Sequence, residues 1–134
     1  MSKYVYPAIF TPEESGGYSV RFPDVKNCFT DGDTLAEALT NAEDALCLML
    51  YDLEQARGTI CKPTSAEALR GQLEEGEFVN LVACDTVEYR KFYNNRAVKK
   101  TLSIPAWLNE MAEAAEINFS GLLQEALKKQ LNVN

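Results

Sequence analysis

Lys99, Thr101 and Ser103 stand two residues apart in the segment Val98-Lys99-Lys100-Thr101-Leu102-Ser103-Ile104. In an extended chain alternate side chains share a face, so these three point one way while Leu102 and Ile104 point the other. An ammonium group and two hydroxyls set along one edge can hydrogen-bond to the edges of nucleic-acid bases. Other chemistry is poorly provided for. The chain has no histidine, which removes the commonest general base and the commonest transition-metal ligand. Its four cysteines, Cys28, Cys47, Cys61 and Cys84, are widely spaced without a CxxC pair. They read as small buried apolar residues in a reducing compartment rather than as a metal site or a disulfide framework.

These side chains must be carried by a chain of 134 residues that is 46% hydrophobic and 25% charged. Those values describe ordinary globular protein, in one domain or two small ones. The formal charge of −7 is uneven: residues 1–89 hold 6 Lys/Arg against 16 Asp/Glu, and residues 90–134 hold 7 against 4. An acidic body joined to a basic tail indicates two modules with different partners, and nucleic acid would be met by the tail. Between Arg90 and Lys100 there are five basic residues and no acidic one. The start, MSKYVYPAIF, lacks the apolar run of a secretory signal, and the longest apolar stretch, Ala45–Tyr51, is too short to cross a bilayer. A cytoplasmic protein without membrane attachment is the expectation.

Strands are predicted at Lys3–Phe10 and Tyr18–Phe22, joined by a turn at Ser15-Gly16-Gly17. A short third strand is predicted at Cys28–Thr30, followed by a turn at Asp31-Gly32-Asp33. Thr34 and Glu37 have the spacing of a capping box. Leu35, Leu39, Ala42, Leu46, Met49 and Leu53 then recur at helical steps and predict the core-facing stripe of a helix ending near Gly58. Ser65–Arg70 reads as a short helix, Phe78–Cys84 as a buried strand and residues 86–97 as a linker. The first 85 residues thus predict a β-β-β-α-β unit of the α+β class, with the helix on one sheet face.

In the tail, the strand at 98–104 is closed by Pro105, which the first turn of a helix tolerates. Trp107, Leu108, Met111 and Ala115 mark one helix face, Asn118 suits the N-cap of a second helix, and Leu122, Leu123, Ala126, Leu127 and Leu131 mark its apolar face. Strand, helix, turn and helix in so few residues cannot bury both faces alone, whereas two copies can. Residues 96–132, "KKTLSIPAWLNEMAEAAEINFSGLLQEALKK" in their main part, closely resemble the ribbon-helix-helix repressors. The resemblance implies a homodimer whose paired strands enter the major groove of operator DNA, with Lys99, Thr101 and Ser103 reading bases. It also implies phosphate contacts from Arg96, Lys100 and the helix start at Asn118, Phe119 and Ser120. Whether dimers pair into tetramers is left open.

A second resemblance lies at the front. "GGYSVRFPDVKNCFTDGDTLAEALTNAEDAL" is similar to HicB-type antitoxins of type II toxin–antitoxin systems, which join a partial ribonuclease-H-like domain to a DNA-binding domain. Asn27 departs from the pattern, which more often has glycine before the cysteine. The resemblance implies domains at 1–85 and 98–134, the first binding and blocking a HicA-like mRNA-cleaving toxin and the second repressing the shared promoter. An acidic domain suits a basic RNA-binding partner. Tyr18, Phe22 and Asp24, on and after the second strand, are the candidate toxin contacts. A rival reading is a solitary repressor whose first domain senses a ligand or sets oligomeric state. A metal-dependent nuclease is a further alternative, but the first strand carries no carboxylate for two-metal chemistry, and Glu37, Glu43 and Asp85 suit helix capping, a solvated face and a strand end. No catalytic residue, metal or cofactor is expected.

Overall fold

Alternating aromatic and small apolar residues draw the first strand across the middle of the sheet. In the computed structural model, which describes residues 3–134, β1 (Lys3–Pro12) pairs antiparallel with both β2 (Tyr18–Arg21) and β4 (Phe78–Asp85), and β3 (Phe29–Gly32) pairs antiparallel with β2. The sheet order is β3-β2-β1-β4. Tyr6, Ala8 and Phe10 of β1, Val20 of β2 and Val82 and Cys84 of β4 supply its core face. Phe78–Cys84 is therefore a one-sided strand rather than a wholly buried one: Leu81 and Ala83, one step out of phase, are exposed. Phe10 stacks on Phe78 across the β1–β4 pair, with ring centroids 5.1 Å apart.

The long helix α1 (Leu35–Gln55) begins at Thr34, whose Oγ1 accepts the Glu37 N–H at 3.1 Å. Its buried line is Ala38, Ala42, Leu46 and Leu50, rotated from the predicted stripe, and Leu35 is exposed. The reason is the closeness of the helix to β3. A Cβ at Gly32 would lie 2.4 Å from the Ala38 nitrogen, so small side chains mark the inner face where large ones mark it farther along. The helix ends in a left-handed turn at Arg57 (φ 54°), with Gly58 N–H donating to Leu53 O at 2.8 Å, the Schellman pattern. The short helix predicted at Ser65–Arg70 is α2 (Ala66–Arg70), capped by Ser65.

The linker predicted at 86–97 is corrected: Thr86–Tyr93 form a helix, α3. Asp85 is its N-cap, its Oδ1 accepting the Val87 and Glu88 N–H groups. Thr86 and Arg90, one turn apart, both reach Glu54 near the end of α1, at 2.9 and 2.8 Å, and Tyr4 Oη donates to the same carboxylate at 2.8 Å. Burial and this bond push the Tyr4 phenol up to about 12. A carboxylate receiving three donors anchors α3 to α1 and the sheet, which places the segment in the first unit. That unit runs to Asn95, and a second covers Arg96–Asn134.

In the second unit α4 (Ala106–Ala114) and α5 (Phe119–Leu131) appear as predicted. They are joined by a left-handed Glu116 (φ 55°) and the Asn118 cap, whose Oδ1 accepts the Gly121 N–H at 3.1 Å. Pro105 sits one step before the helix, at the N-cap. The strand predicted at 98–104 is not formed in the single chain; residues 95–105 have no regular structure. A strand exists only through bonds to a neighbouring strand, and this unit contains no other. The two cysteines Cys28 and Cys84 are buried as expected, but Cys47 is half-buried and Cys61 exposed, and all four are free thiols.

Candidate functional sites

Arg96, Lys99, Lys100, Thr101 and Ser103 are all exposed on the irregular segment before α4. Backbone geometry there sets no common face for Lys99, Thr101 and Ser103. Asn118, Phe119 and Ser120 are brought together at the start of α5. The N–H groups of the first helical turn have no partner four residues earlier. Gly121 N–H is taken by Asn118, so Phe119 and Ser120 carry the outward donors, with Ser120 Oγ also accepting from Gln124 Nε2 at 3.1 Å. An anion is favoured there by both donors and helix dipole.

The surface of this unit is unusual for a folded segment in water. Val98, Leu102, Ile104, Trp107, Leu108, Met111, Ile117, Phe119, Leu122, Leu127 and Leu131 are exposed, Trp107 at 63%, and Ala112 is the one buried apolar residue among them and their neighbours in the unit. Leu102 and Ile104 belong to the same apolar set as the α4 and α5 faces. An exposed apolar surface of this extent marks an interaction site.

In the first unit the three candidate toxin contacts each touch other parts of the fold. Phe22, at 4% exposed, is a core residue, packed with Val25 and Cys28. The β2–β3 turn folds it inward, with Phe22 N–H donating to Cys28 O at 3.0 Å. That turn places Asn27 at φ 61°, a conformation asparagine tolerates better than other side chains do, so the absence of glycine is accommodated. Asp24 accepts the Thr64 N–H at 2.9 Å and the Thr64 hydroxyl at 2.6 Å, tying the segment after α1 across the molecule. Tyr18 meets the edge of Phe78 at 6.2 Å.

The residues that the sequence reading passed over lie on α1 and α3. Tyr51, Tyr89 and Tyr93 form a run of ring contacts, at 5.3 and 4.5 Å, extended by Phe92 at 4.8 Å from Tyr93. The signal was available: Asp85 and Glu88 have cap-box spacing, and Tyr89 and Tyr93 are one turn apart. Glu37, Glu43 and Asp85, weighed above as nuclease carboxylates, lie in the α1 first turn, on exposed α1 surface and at the α3 cap respectively. Among the described residues no three Cys, Asp or Glu side chains are grouped so as to hold a metal ion. No helix among them is long and apolar enough to cross a membrane.

Residues 6–127 match the family model described as the HicB-like antitoxin of bacterial toxin–antitoxin systems. Antitoxin HicB 1 of Photorhabdus laumondii is 54% identical over 41 residues, which cover 31% of this chain and 26% of that protein. The match thus spans about a quarter of that relative's length. An uncharacterised 14.9 kDa protein from the rep-hol intergenic region of Haemophilus phage HP1 is 31% identical over 105 residues, covering 78% of this chain and 75% of its own. Among solved structures, a chain of a toxin–antitoxin complex from Streptococcus pneumoniae superposes with a TM-score of 0.60 at 26% identity, over 96% of this chain and 99% of that one. The mixed α+β fold with its four-stranded antiparallel sheet is that of the HicB antitoxin structures, and the match is nearly end to end. The chain belongs to the HicB-like antitoxin family of bacterial toxin–antitoxin systems.

Proposed function

We propose that this protein neutralises a HicA-like, mRNA-cleaving toxin with its first unit, a partial ribonuclease-H-like domain, and represses its own promoter through a dimeric ribbon-helix-helix formed by the second. The observation that carries the DNA-binding half is the bare apolar surface of residues 98–131, combined with a strand-patterned segment that has no strand to pair with. A second copy answers both needs. Its 98–104 segment completes an antiparallel ribbon, the two sets of Leu102 and Ile104 close over α4 and α5, and Lys99, Thr101 and Ser103 then share the outer face. In that arrangement these three read base edges, while Arg96, Lys100 and the Asn118–Ser120 helix start hold phosphates. The neutralising half is supported by family membership, by the likeness to a chain of a toxin–antitoxin complex, and by the acidity of the first unit, which suits a basic RNA-binding partner.

The test is a mobility-shift titration of the full chain on its own promoter and on scrambled duplex, at two salt concentrations. Thr101→Ala is expected to cost about 1–3 kcal/mol of specific binding with little effect on scrambled DNA. Lys99→Ala is expected to weaken both and to flatten the salt dependence. Wild-type affinity in the Lys99→Ala, Thr101→Ala, Ser103→Ala triple variant would refute the reading element. For the other half, a fragment ending at Asn95 is the piece to assay, since a cut after Cys84 would remove Thr86 and Arg90 from Glu54. Such a fragment, folded yet unable to protect cells from the toxin, would overturn the division of labour.

A further inference from the structure

A groove of about 320 Å3 lies between α1 and α3, lined chiefly by Asn41, Asp44, Ala45, Leu48, Tyr89 and Tyr93. Its aromatic side continues through Tyr51 and Phe92 in an unbroken series of ring contacts, and the outer rings are open to solvent, Phe92 at 79% and Tyr93 at 62%. Among the lining residues the one charged side chain is Asp44. Helix α1 carries Glu37, Glu43, Asp44, Asp52 and Glu54 and not one Lys or Arg. Glu54 is taken by Arg90, but the exposed Asp44 carboxylate forms no ion pair among the described residues. Desolvation, then the neighbouring Tyr93, Asp52, Cys47 and Asp44, raise the Tyr89 phenol.

The molecule shows next door what such a surface binds. The Arg90 guanidinium sits 5.2 Å from the Tyr51 ring centroid while bonding Glu54 at 2.8 Å, an aromatic face and a carboxylate sharing one cation. At Tyr89, Tyr93 and Asp44 the same pair of groups is present, with no cation among the described residues placed on it. We propose that this groove seats an arginine or lysine side chain of the toxin, its stem along Ala45 and Leu48 and its charge between the tyrosine faces and Asp44. A second copy of this chain is the poorer occupant, because it would bring carboxylates against carboxylates. The proposal rests on the antitoxin reading and names the surface that performs it, in place of Tyr18, Phe22 and Asp24. Tyrosine and arginine are enriched among the few residues that dominate an interface.

The experiment is calorimetric titration of the full-length chain with the toxin it retains when purified from its host, comparing wild type with Asp44→Lys, Tyr93→Ala and Glu67→Lys. Glu67 is an exposed acid on α2, so its reversal changes net charge equally without touching the groove. Asp44→Lys and Tyr93→Ala are each expected to weaken binding about tenfold or more, the size of a desolvated cation–π contact, and Glu67→Lys by less than about twofold. Asp44 is exposed and its side chain has no hydrogen-bond partner among the described residues, so Asp44→Lys carries the test even where Tyr93→Ala fails to fold. Wild-type affinity in Asp44→Lys, or an equal loss in Glu67→Lys, would overturn the groove while leaving the antitoxin reading standing. A wild-type chain that retains no toxin would overturn both.

Discussion

Replacing Gly32 by alanine is the most economical way to challenge the account of how α1 is seated. Gly32 ends β3 and is buried beneath the first turns of the helix; an added Cβ would lie 2.4 Å from the Ala38 nitrogen, 2.7 Å from its Cα and 2.9 Å from the Glu37 carbonyl carbon. These are backbone atoms of a helix held at one end by the Thr34 cap and along its length by Ala38, Ala42, Leu46 and Leu50. No flexible side chain can swing aside, so the whole element must lift. Overpacking costs typically about 1–3 kcal/mol, and a backbone clash belongs at the upper end. Because Gly32 does not adopt a left-handed φ, alanine also removes freedom from the unfolded chain, a gain of about 0.4–1 kcal/mol. The net loss is therefore about 2 kcal/mol, a large share of the roughly 5–15 kcal/mol that holds such a domain together. At about 1 kcal/mol per molar urea, the lower end for a small unit, the midpoint should fall by roughly 2 M. The sequence provides separate probes for the two units: all six tyrosines lie at or before Tyr93, and Trp107 is the single tryptophan. Tyrosine emission should shift while Trp107 emission at fixed protein concentration does not. An unchanged tyrosine midpoint would refute the close approach of α1 to β3.

Further consequences follow from particular contacts. Leu46→Ala, at a fully buried position, should cost about 2–5 kcal/mol in the tyrosine-reported transition; a loss under about 1 kcal/mol would mean the helix does not pack as described. Glu116 occupies the left-handed turn between α4 and α5 (φ 55°), so Glu116→Gly should stabilise the second unit by about 0.5–1 kcal/mol, read from Trp107 emission. Arg21, then Thr11 and the Glu74 N–H, lower the Glu77 carboxyl from 4.5 to about 2. A depressed folded value means that its contribution is present above the unfolded value and disappears as pH falls toward 2. The stability difference between wild type and Glu77→Gln should therefore be constant above about pH 5 and shrink between pH 4.5 and 2; parallel pH profiles would contradict the Arg21–Glu77 pairing.

Local patterns in the sequence were enough to place most elements. Turn glycines, the Thr34 cap and the apolar run at Phe78 specify β1 to β4 and α1, because each signal acts within a few residues. The Asn118 cap and the spacing of Trp107 to Leu131 specify α4 and α5 in the same way. The net acidity of the first unit and the basic segment around Lys99 are likewise properties of composition. What composition could not supply was which face of α1 meets the sheet, since Ala38 and Ala42 become inner residues only when Gly32 lets the backbones approach. Nor could it show that Phe22 turns inward, because Pro23 and Asp24 beside it read as a surface break until Asp24 meets Thr64, forty positions along. Residues 86–93 look polar and linker-like until Thr86 and Arg90 meet the carboxylate of Glu54, a contact between positions more than thirty residues apart. Bonds between distant positions leave no periodic trace in the chain, and the aromatic groove between α1 and α3 exists only once they have formed.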